Sequence, residues 1–192
     1  MNKIVDIFYS LQGEGTFVGT PSIFIRFYGC NLECSFCDDI KHTESFEHFS
    51  NEELLQKIQG FTCKQVVITG GEPSIYNLNA FIEFLQAYGY FVCVESNGFK
   101  FANIQSANWI TYSPKDWDTI ALKGCDEYKF IVSSASKVDK ILALQTNKPI
   151  FIQPQNDFLT ANATNVKYCI ELVKAHSRLR LSVQLHKYLG VE

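Results

Sequence analysis

No stretch of this sequence stays apolar for the roughly 20 residues that a membrane helix needs. The opening segment Met1–Gly15 also lacks the apolar core and small-residue cleavage site of a secretory signal. Both absences point to a soluble, cytoplasmic protein. Cytosol keeps thiols reduced, so the seven cysteines read as thiols or metal ligands and not as disulfides, and their odd number agrees. Charge of either sign is in short supply: 17 basic against 20 acidic residues leave a net charge of −3, which gives no electrostatic reason to expect nucleic acid. No repeat, low-complexity tract or Pro/Gly/Ser-rich linker breaks the chain. Its 192 residues, 46% of them hydrophobic, are therefore expected to form a single domain, 1–192, with an ample core.

Short β-rich runs alternate with helical patterns along the chain. Strands are predicted at Ile4–Tyr9, Ser22–Tyr28, Gln65–Thr69, Tyr90–Glu95, Trp109–Tyr112, Glu127–Val132, Pro149–Ile152 and Arg178–Val183. Several are apolar at successive positions (Val66, Val67, Ile68), as in parallel strands buried on both faces. Ser50 and Glu53 form a capping box ahead of a helix over Glu53–Ile58, and Leu78, Phe81, Ile82 and Leu85 make an apolar stripe on Leu78–Tyr88. Two further helices are marked by Val138, Ile141 and Leu142 and by Ile170, Leu172 and Val173. Such alternation implies βαβ units and an α/β fold with a parallel sheet or open barrel. Ligands gather at the carboxyl ends of strands in these folds. That is where Cys30 onward, Gly70-Gly71-Glu72-Pro73, Glu95-Ser96-Asn97-Gly98 and Ser113-Pro114-Lys115 fall.

Cys30-x3-Cys34-x2-Cys37 places three thiolates within eight residues. Three thiolates ligate three irons of a 4Fe–4S cubane and leave the fourth iron open to a cofactor or substrate. Tyr28 and Phe36 are expected to shield such a cluster from water. Spacing alone leaves two alternatives open: a zinc site completed by His42 as Cys3His, and a loop with no metal. Cys63, Cys93, Cys125 and Cys169 are isolated, and Cys93 and Cys169 sit in apolar contexts that suit small core residues.

The triad after a strand, with an aromatic before its third cysteine, resembles the radical S-adenosylmethionine (SAM) superfamily, and Thr69-Gly70-Gly71-Glu72-Pro73 resembles its glycine motif. A narrower resemblance runs nearly end to end. Ser10-Leu11-Gln12-Gly13-Glu14-Gly15, Phe24-Ile25-Arg26, Gly29-Cys30-Asn31, Ser113-Pro114-Lys115, Gln153-Pro154 and Gln184-Leu185-His186-Lys187 are similar to the 7-carboxy-7-deazaguanine synthase family. The resemblance implies a partial, open (β/α) barrel of the radical SAM type, pared down to fewer helices than strands. It implies ring contraction of 6-carboxy-5,6,7,8-tetrahydropterin to 7-carboxy-7-deazaguanine with loss of ammonia, on the route to queuosine. It further implies a 4Fe–4S cluster, SAM and Mg2+ as cofactors, a flavodoxin or ferredoxin as electron donor, and a homodimer.

Carried over residue by residue, the resemblance gives Leu11, Gln12, Gly13, Glu14, Arg26, Thr69, His186 and the main chain of Glu192 to the pterin. Arg26 suits the substrate carboxylate, being a planar, permanently charged fork. Phe36, Cys37, Asp38, Gly71, Ser113, Pro114, Lys115 and Gln153 fall to SAM, and Cys30, Cys34 and Cys37 to the cluster. One departure concerns the metal. The family commonly has threonine as the Mg2+ ligand after Cys-Asp, and this chain has Asp39, a hard-oxygen ligand normal for Mg2+; two outcomes stay open, stronger Mg2+ binding or an altered metal choice or dependence. Two rival readings remain at this level: a radical SAM activase that acts on a partner protein, and a zinc-stabilised binding module built on His42.

Overall fold

The protein is described here by a computed structural model, which describes residues 1–38, 41–157 and 160–191. Its chain begins with an antiparallel hairpin of β1 (Asn2–Leu11) and β2 (Pro21–Phe27), in which Phe8 lies opposite Phe24 with the rings stacked at 4.8 Å. A short β3 (Glu47–Phe49) pairs antiparallel with the other edge of β1. From β2 onward every pairing is parallel, through β4 (Gln65–Gly70), β5 (Phe91–Ser96), β6 (Trp109–Tyr112), β7 (Glu127–Val132), β8 (Ile150–Pro154) and β9 (Leu179–Leu181). The resulting order is β3-β1-β2-β4-β5-β6-β7-β8-β9, with β3 and β9 as the two edges of an unclosed sheet.

Five helices accompany nine strands among the described residues: α1 (Asn51–Ile58), α2 (Asn79–Ala87), α3 (Asp139–Leu142), α4 (Ala163–Ala175) and α5 (Leu185–Leu189). This is the open, helix-poor α/β barrel that the resemblance implies. Only a 3-10 turn at Phe101–Asn103 lies between β5 and β6. The capping box forms as expected: Ser50 Oγ accepts from Glu53 N at 3.1 Å, and Glu53 Oε2 accepts from Ser50 N at 2.7 Å. None of these helices is long and apolar enough to cross a membrane.

Strand alternation divides the two faces. Ile23, Ile25 and Phe27 of β2, Val66 and Ile68 of β4, Val92 and Val94 of β5, and Tyr128, Phe130 and Val132 of β7 belong to one core with Leu54 and Ile58 of α1 and Phe81, Ile82 and Leu85 of α2. Each fully buried aliphatic there contributes about 1.5–3 kcal/mol. The opposite parity points into the barrel, where Phe24, Arg26, Val67, Thr69, Glu95, Lys129, Ile131 and Gln153 line a cavity. Continuous apolar runs such as Val66-Val67-Ile68 therefore serve two different interiors, a helix-packed core and a cavity wall. Burial pushes the Cys169 thiol up to about 12 and drives that of Cys93 upward as well, so both behave as core residues.

Several boundaries depart from the sequence reading. β1 runs two residues further at each end than Ile4–Tyr9, because β2 and β3 supply partners along its length. β1 and β3 are antiparallel in a sheet expected to be parallel, and neither β3 nor α5 was expected. The final strand contracts from Arg178–Val183 to Leu179–Leu181, since β8 offers it only Ile150, Phe151 and Ile152.

Candidate active site

The loop after β2 opens at Gly29, whose φ of +89° favours glycine. Gly29 N donates to His42 O at 2.9 Å, and Gly29 O accepts from Glu72 N at 2.9 Å. A Cβ on Gly71 would overlap the Gly29 carbonyl and lie 2.7 Å from His42 Cδ2. Gly71 is thus required where the cysteine loop and the turn after β4 abut. Within the loop, Cys37 N donates to Cys34 O at 3.1 Å and Leu32 N to Cys30 Sγ at 3.4 Å. The turn brings Cys30, Cys34 and Cys37 onto one cavity of about 760 Å³, within the range of small-molecule sites.

Among the described residues, no three His, Cys, Asp or Glu side chains close on a point where a single ion would sit. A tetrahedral zinc site requires such convergence, whereas a cubane takes each thiolate on a separate iron. His42, the alternative fourth zinc ligand, borders the same cavity and is buried against the Gly29–Gly71 contact. Burial pushes the Cys30 thiol up, and Glu72, Cys34 and Cys37 add to this against the Leu32 N–H. Bound iron supplies the positive charge that such thiols need in order to ionise. The donor set therefore fits a cluster.

The same cavity collects the expected substrate residues Leu11, Gln12, Gly13, Glu14, Arg26, Thr69 and His186, and the expected cofactor residues Phe36, Cys37, Asp38, Gly71, Ser113, Lys115 and Gln153. Pro114 is the exception. It is buried behind the wall, where its carbonyl accepts from Trp117 Nε1 at 3.2 Å. Tyr28 does not shield the cysteines either: its ring packs on Phe46 at 4.4 Å, while Phe36 does line the cavity. Asp39 and Glu192 lie outside the described residues.

Each wall is fixed by identifiable bonds. The Arg26 guanidinium lies 5.6 Å from the centre of the Phe8 ring, which backs it. Lys115 Nζ donates to Ser113 O and Ser113 Oγ at 2.9 and 2.7 Å, and burial with Lys129 nearby lowers its pKa while Cys34 opposes this. Gln153 Nε2 donates to Glu14 Oε1 at 3.2 Å, and its own Oε1 accepts from Ser182 Oγ at 3.0 Å. Burial holds His186 below the usual imidazole value, so it is neutral at pH 7, although Glu14 opposes the shift. A strap from the C-terminal segment closes the rim. Leu185 N donates to Gly13 O at 3.1 Å, while Gln184 Nε2 and Lys187 Nζ donate to Asp38 Oδ2 at 2.6 and 3.0 Å. Those two donors outweigh burial and hold the Asp38 carboxyl below its ordinary range.

Sequence reasoning missed three residues. Glu72, read only as part of a turn, is 1% exposed and accepts from Ser74 N, Ser96 Oγ and Asn97 N at 2.9, 2.7 and 2.5 Å. It ties the carboxyl end of β4 to that of β5. Glu95 and Lys129 meet in the cavity with Glu14: Lys129 Nζ lies 2.7 Å from Glu95 Oε2 and also bonds Glu14 Oε2. The signal for Lys129 was a cation between the apolar residues Tyr128 and Phe130–Val132 of a buried strand.

Comparisons with known proteins converge on one family. The model of the Radical SAM superfamily matches residues 24–151. A 7-carboxy-7-deazaguanine synthase from Bacteroides thetaiotaomicron is 37% identical over 191 residues, covering 100% of this chain and 99% of the relative. That of Escherichia coli K12 is 34% identical over 222 residues, with 98% of each chain covered. The crystal structure of QueE from Escherichia coli superposes with a TM-score of 0.78 at 30% identity, covering 96% of this chain and 94% of that one. Matches of this length and identity, joined to a triad and glycine turn on one cavity, place the chain in the 7-carboxy-7-deazaguanine synthase family of the radical SAM superfamily.

Proposed function

We propose that this chain, as one radical SAM domain over residues 1–192, contracts 6-carboxy-5,6,7,8-tetrahydropterin to 7-carboxy-7-deazaguanine and releases ammonia, as a carbon–nitrogen lyase on the queuosine route. The observation that carries the reading is the shared cavity, lined by the three cysteines together with Gln12, Glu14, Arg26 and His186. A cluster-bearing activase has no use for a polar pocket of that kind.

When bound, the 4Fe–4S cluster and SAM supply the one-electron chemistry that removes hydrogen from C6 of the substrate. The chain's own residues bind, orient and exclude water. Arg26 takes the substrate carboxylate as a bidentate fork. Leu11, Gln12, Gly13, Glu14 and Thr69 hold the pterin ring. Neutral His186 offers one donor and one acceptor without adding charge. Gly71 gives SAM close backbone approach, and Phe36, Cys37, Asp38, Ser113, Lys115 and Gln153 lie along it, with Pro114 stiffening the segment. Asp39 is the proposed Mg2+ ligand, an ion that orients substrate oxygens, and Glu192 closes the pocket through its main chain. A flavodoxin or ferredoxin as electron donor, a homodimer and a cytoplasmic location complete the proposal; it involves no nucleic acid and no membrane.

Anaerobically reconstituted protein given the carboxytetrahydropterin, SAM and a reductant is expected to form the deazaguanine and ammonia in equal amounts. SAM cleavage by an intact cluster with no contracted product would contradict the proposal.

A further inference from the structure

Toward the amino ends of the strands, a further layer of barrel side chains stands outside the residues that line the cavity. Thr111 of β6, Glu127 at the start of β7 and Ser182 just after β9 are buried there, Glu127 at 1% exposure. Alternate residues of a strand share a face, so Glu127 points the same way as Lys129 two residues on. Its Oε1 accepts from Thr111 Oγ1 at 2.9 Å, and its Oε2 accepts from Thr16 N at 3.1 Å. Ser182 Oγ accepts from Gly15 N at 3.2 Å and donates to Gln153 Oε1 at 3.0 Å. The two N–H groups that follow Glu14 therefore both end on this layer.

Gly15 makes the seat tight. Its φ of +66° is a left-handed conformation that favours glycine, and a Cβ there would overlap Glu127 Oε1. On one side of Gly15, the Glu14 carboxyl enters the cavity to meet Lys129 and Gln153. On the other, the Thr16 N–H reaches Glu127, and Phe17 packs edge-on against Phe91 and Trp109 at 5.6 and 5.2 Å. Gln12 is closed on Thr20 and Gly19 by bonds of 2.8 and 2.7 Å, and Gly13 O accepts from Leu185 N at 3.1 Å. The segment Gln12-Gly13-Glu14 is thus braced by its own hairpin and α5 at one end, and by Ser182 and Glu127 at the other. Groups that bind a ligand must be held to about 0.5 Å by a supporting layer of this kind.

We propose that Glu127 is a positioning residue for the pterin-binding turn. Through the Thr16 N–H and the close seat of Gly15 it sets where Gln12, Gly13 and Glu14 stand, while touching no ligand itself. This rests on the pterin reading above.

The test is steady-state kinetics of cluster-loaded enzyme with the carboxytetrahydropterin and SAM. Glu127→Leu keeps the bulk and removes both acceptors. Thr16 lies at the surface, so its N–H reaches water by lifting the turn, and Gln12 to Glu14 move with it. KM for the pterin is expected to rise about tenfold, the worth of one such bond, with kcat and the KM for SAM within about threefold of wild type. Glu127→Gln should stay within about threefold throughout, because its oxygen can serve Thr16 N while the Thr111 hydroxyl turns to accept from its NH2. Glu127→Asp withdraws the carboxyl by one methylene and should raise the pterin KM severalfold; it carries the test if Glu127→Leu does not fold. Gly15→Ala and Glu127→Leu disturb one seat, so their combined effect should be smaller than the product of the two. An unchanged pterin KM in Glu127→Leu and Glu127→Asp overturns this proposal alone. So does a loss shared equally by both KM values and kcat, which marks a merely structural residue. A wild type with an intact cluster that turns over no pterin overturns the substrate reading and this proposal with it.

Discussion

Replacing Glu72 with glutamine removes one charge from a side chain that is 1% exposed, with almost no change in volume. Its Oε1 accepts from Ser74 N and Ser96 Oγ, and Oε2 accepts from Asn97 N at 2.5 Å. Glutamine has one oxygen. If that oxygen keeps the two serine bonds, the NH2 group meets the Asn97 N–H, donor against donor. Losing a bond to a charged acceptor costs about 1.5–3 kcal/mol and stranding a buried N–H about 1–3 kcal/mol, together about 2.5–6 kcal/mol. Ser96→Ala removes two bonds, the one to Glu72 and the one accepted from Gly98 N at 2.9 Å, but leaves the charge, and should cost about 1–3 kcal/mol. In a chain of this size each kcal/mol lowers Tm by about 2–4 °C, so the glutamine variant should melt roughly 10 °C lower. Urea unfolding of cluster-free protein, where metal loss cannot distort the transition, gives the free energies. A Glu72→Gln variant within 1 kcal/mol of wild type would refute the view that this carboxylate holds the ends of β4 and β5 together.

Other perturbations have separate expected outcomes. Gly71→Ala places a methyl group into the Gly29 carbonyl, so the cysteine loop must move; anaerobic reconstitution should yield less than half the wild-type iron per chain, and full occupancy would contradict the contact. Gly13→Ala brings a Cβ to 2.8 Å from His186 Nδ1 and 3.3 Å from Leu185 N, pressing α5 away from the site. It should raise KM for the pterin while iron content stays normal, and a change in iron content alone would count against that reading. His186 has a folded-state pKa depressed by burial, so the unfolded chain binds the extra proton between that value and about 6.5. Stability should therefore fall as pH drops below 6.5, and His186→Gln should lose that part of the slope. Parallel urea midpoints for the two proteins from pH 7.5 to 5.5 would contradict the assignment.

How far the sequence carried depended on the length over which each signal extends. The parallel strands were legible because runs such as Val66-Val67-Ile68 and Tyr128-Lys129-Phe130-Ile131 are long enough to stand out from loops. Glu47-His48-Phe49 was not: three residues with two polar side chains show no alternation, and they form a strand because β1 offers an edge. Leu185–Leu189 is too short to nucleate a helix in isolation; the bond from Leu185 N to Gly13 O and the Asp38 strap hold it. At the site, Gln12, Glu14 and the cysteines stood out because they form contiguous motifs. Glu95 and Lys129 are separated by 34 residues and meet only through the strand order, so nothing local to either one announces the pair.

The central claim is that cluster, SAM and pterin act in one cavity, and a substrate deuterated at C6 tests it most directly. Turned over anaerobically by the reconstituted protein, it should place deuterium in the 5′ position of SAM or 5′-deoxyadenosine. SAM cleavage in which both molecules stay free of deuterium would contradict the account.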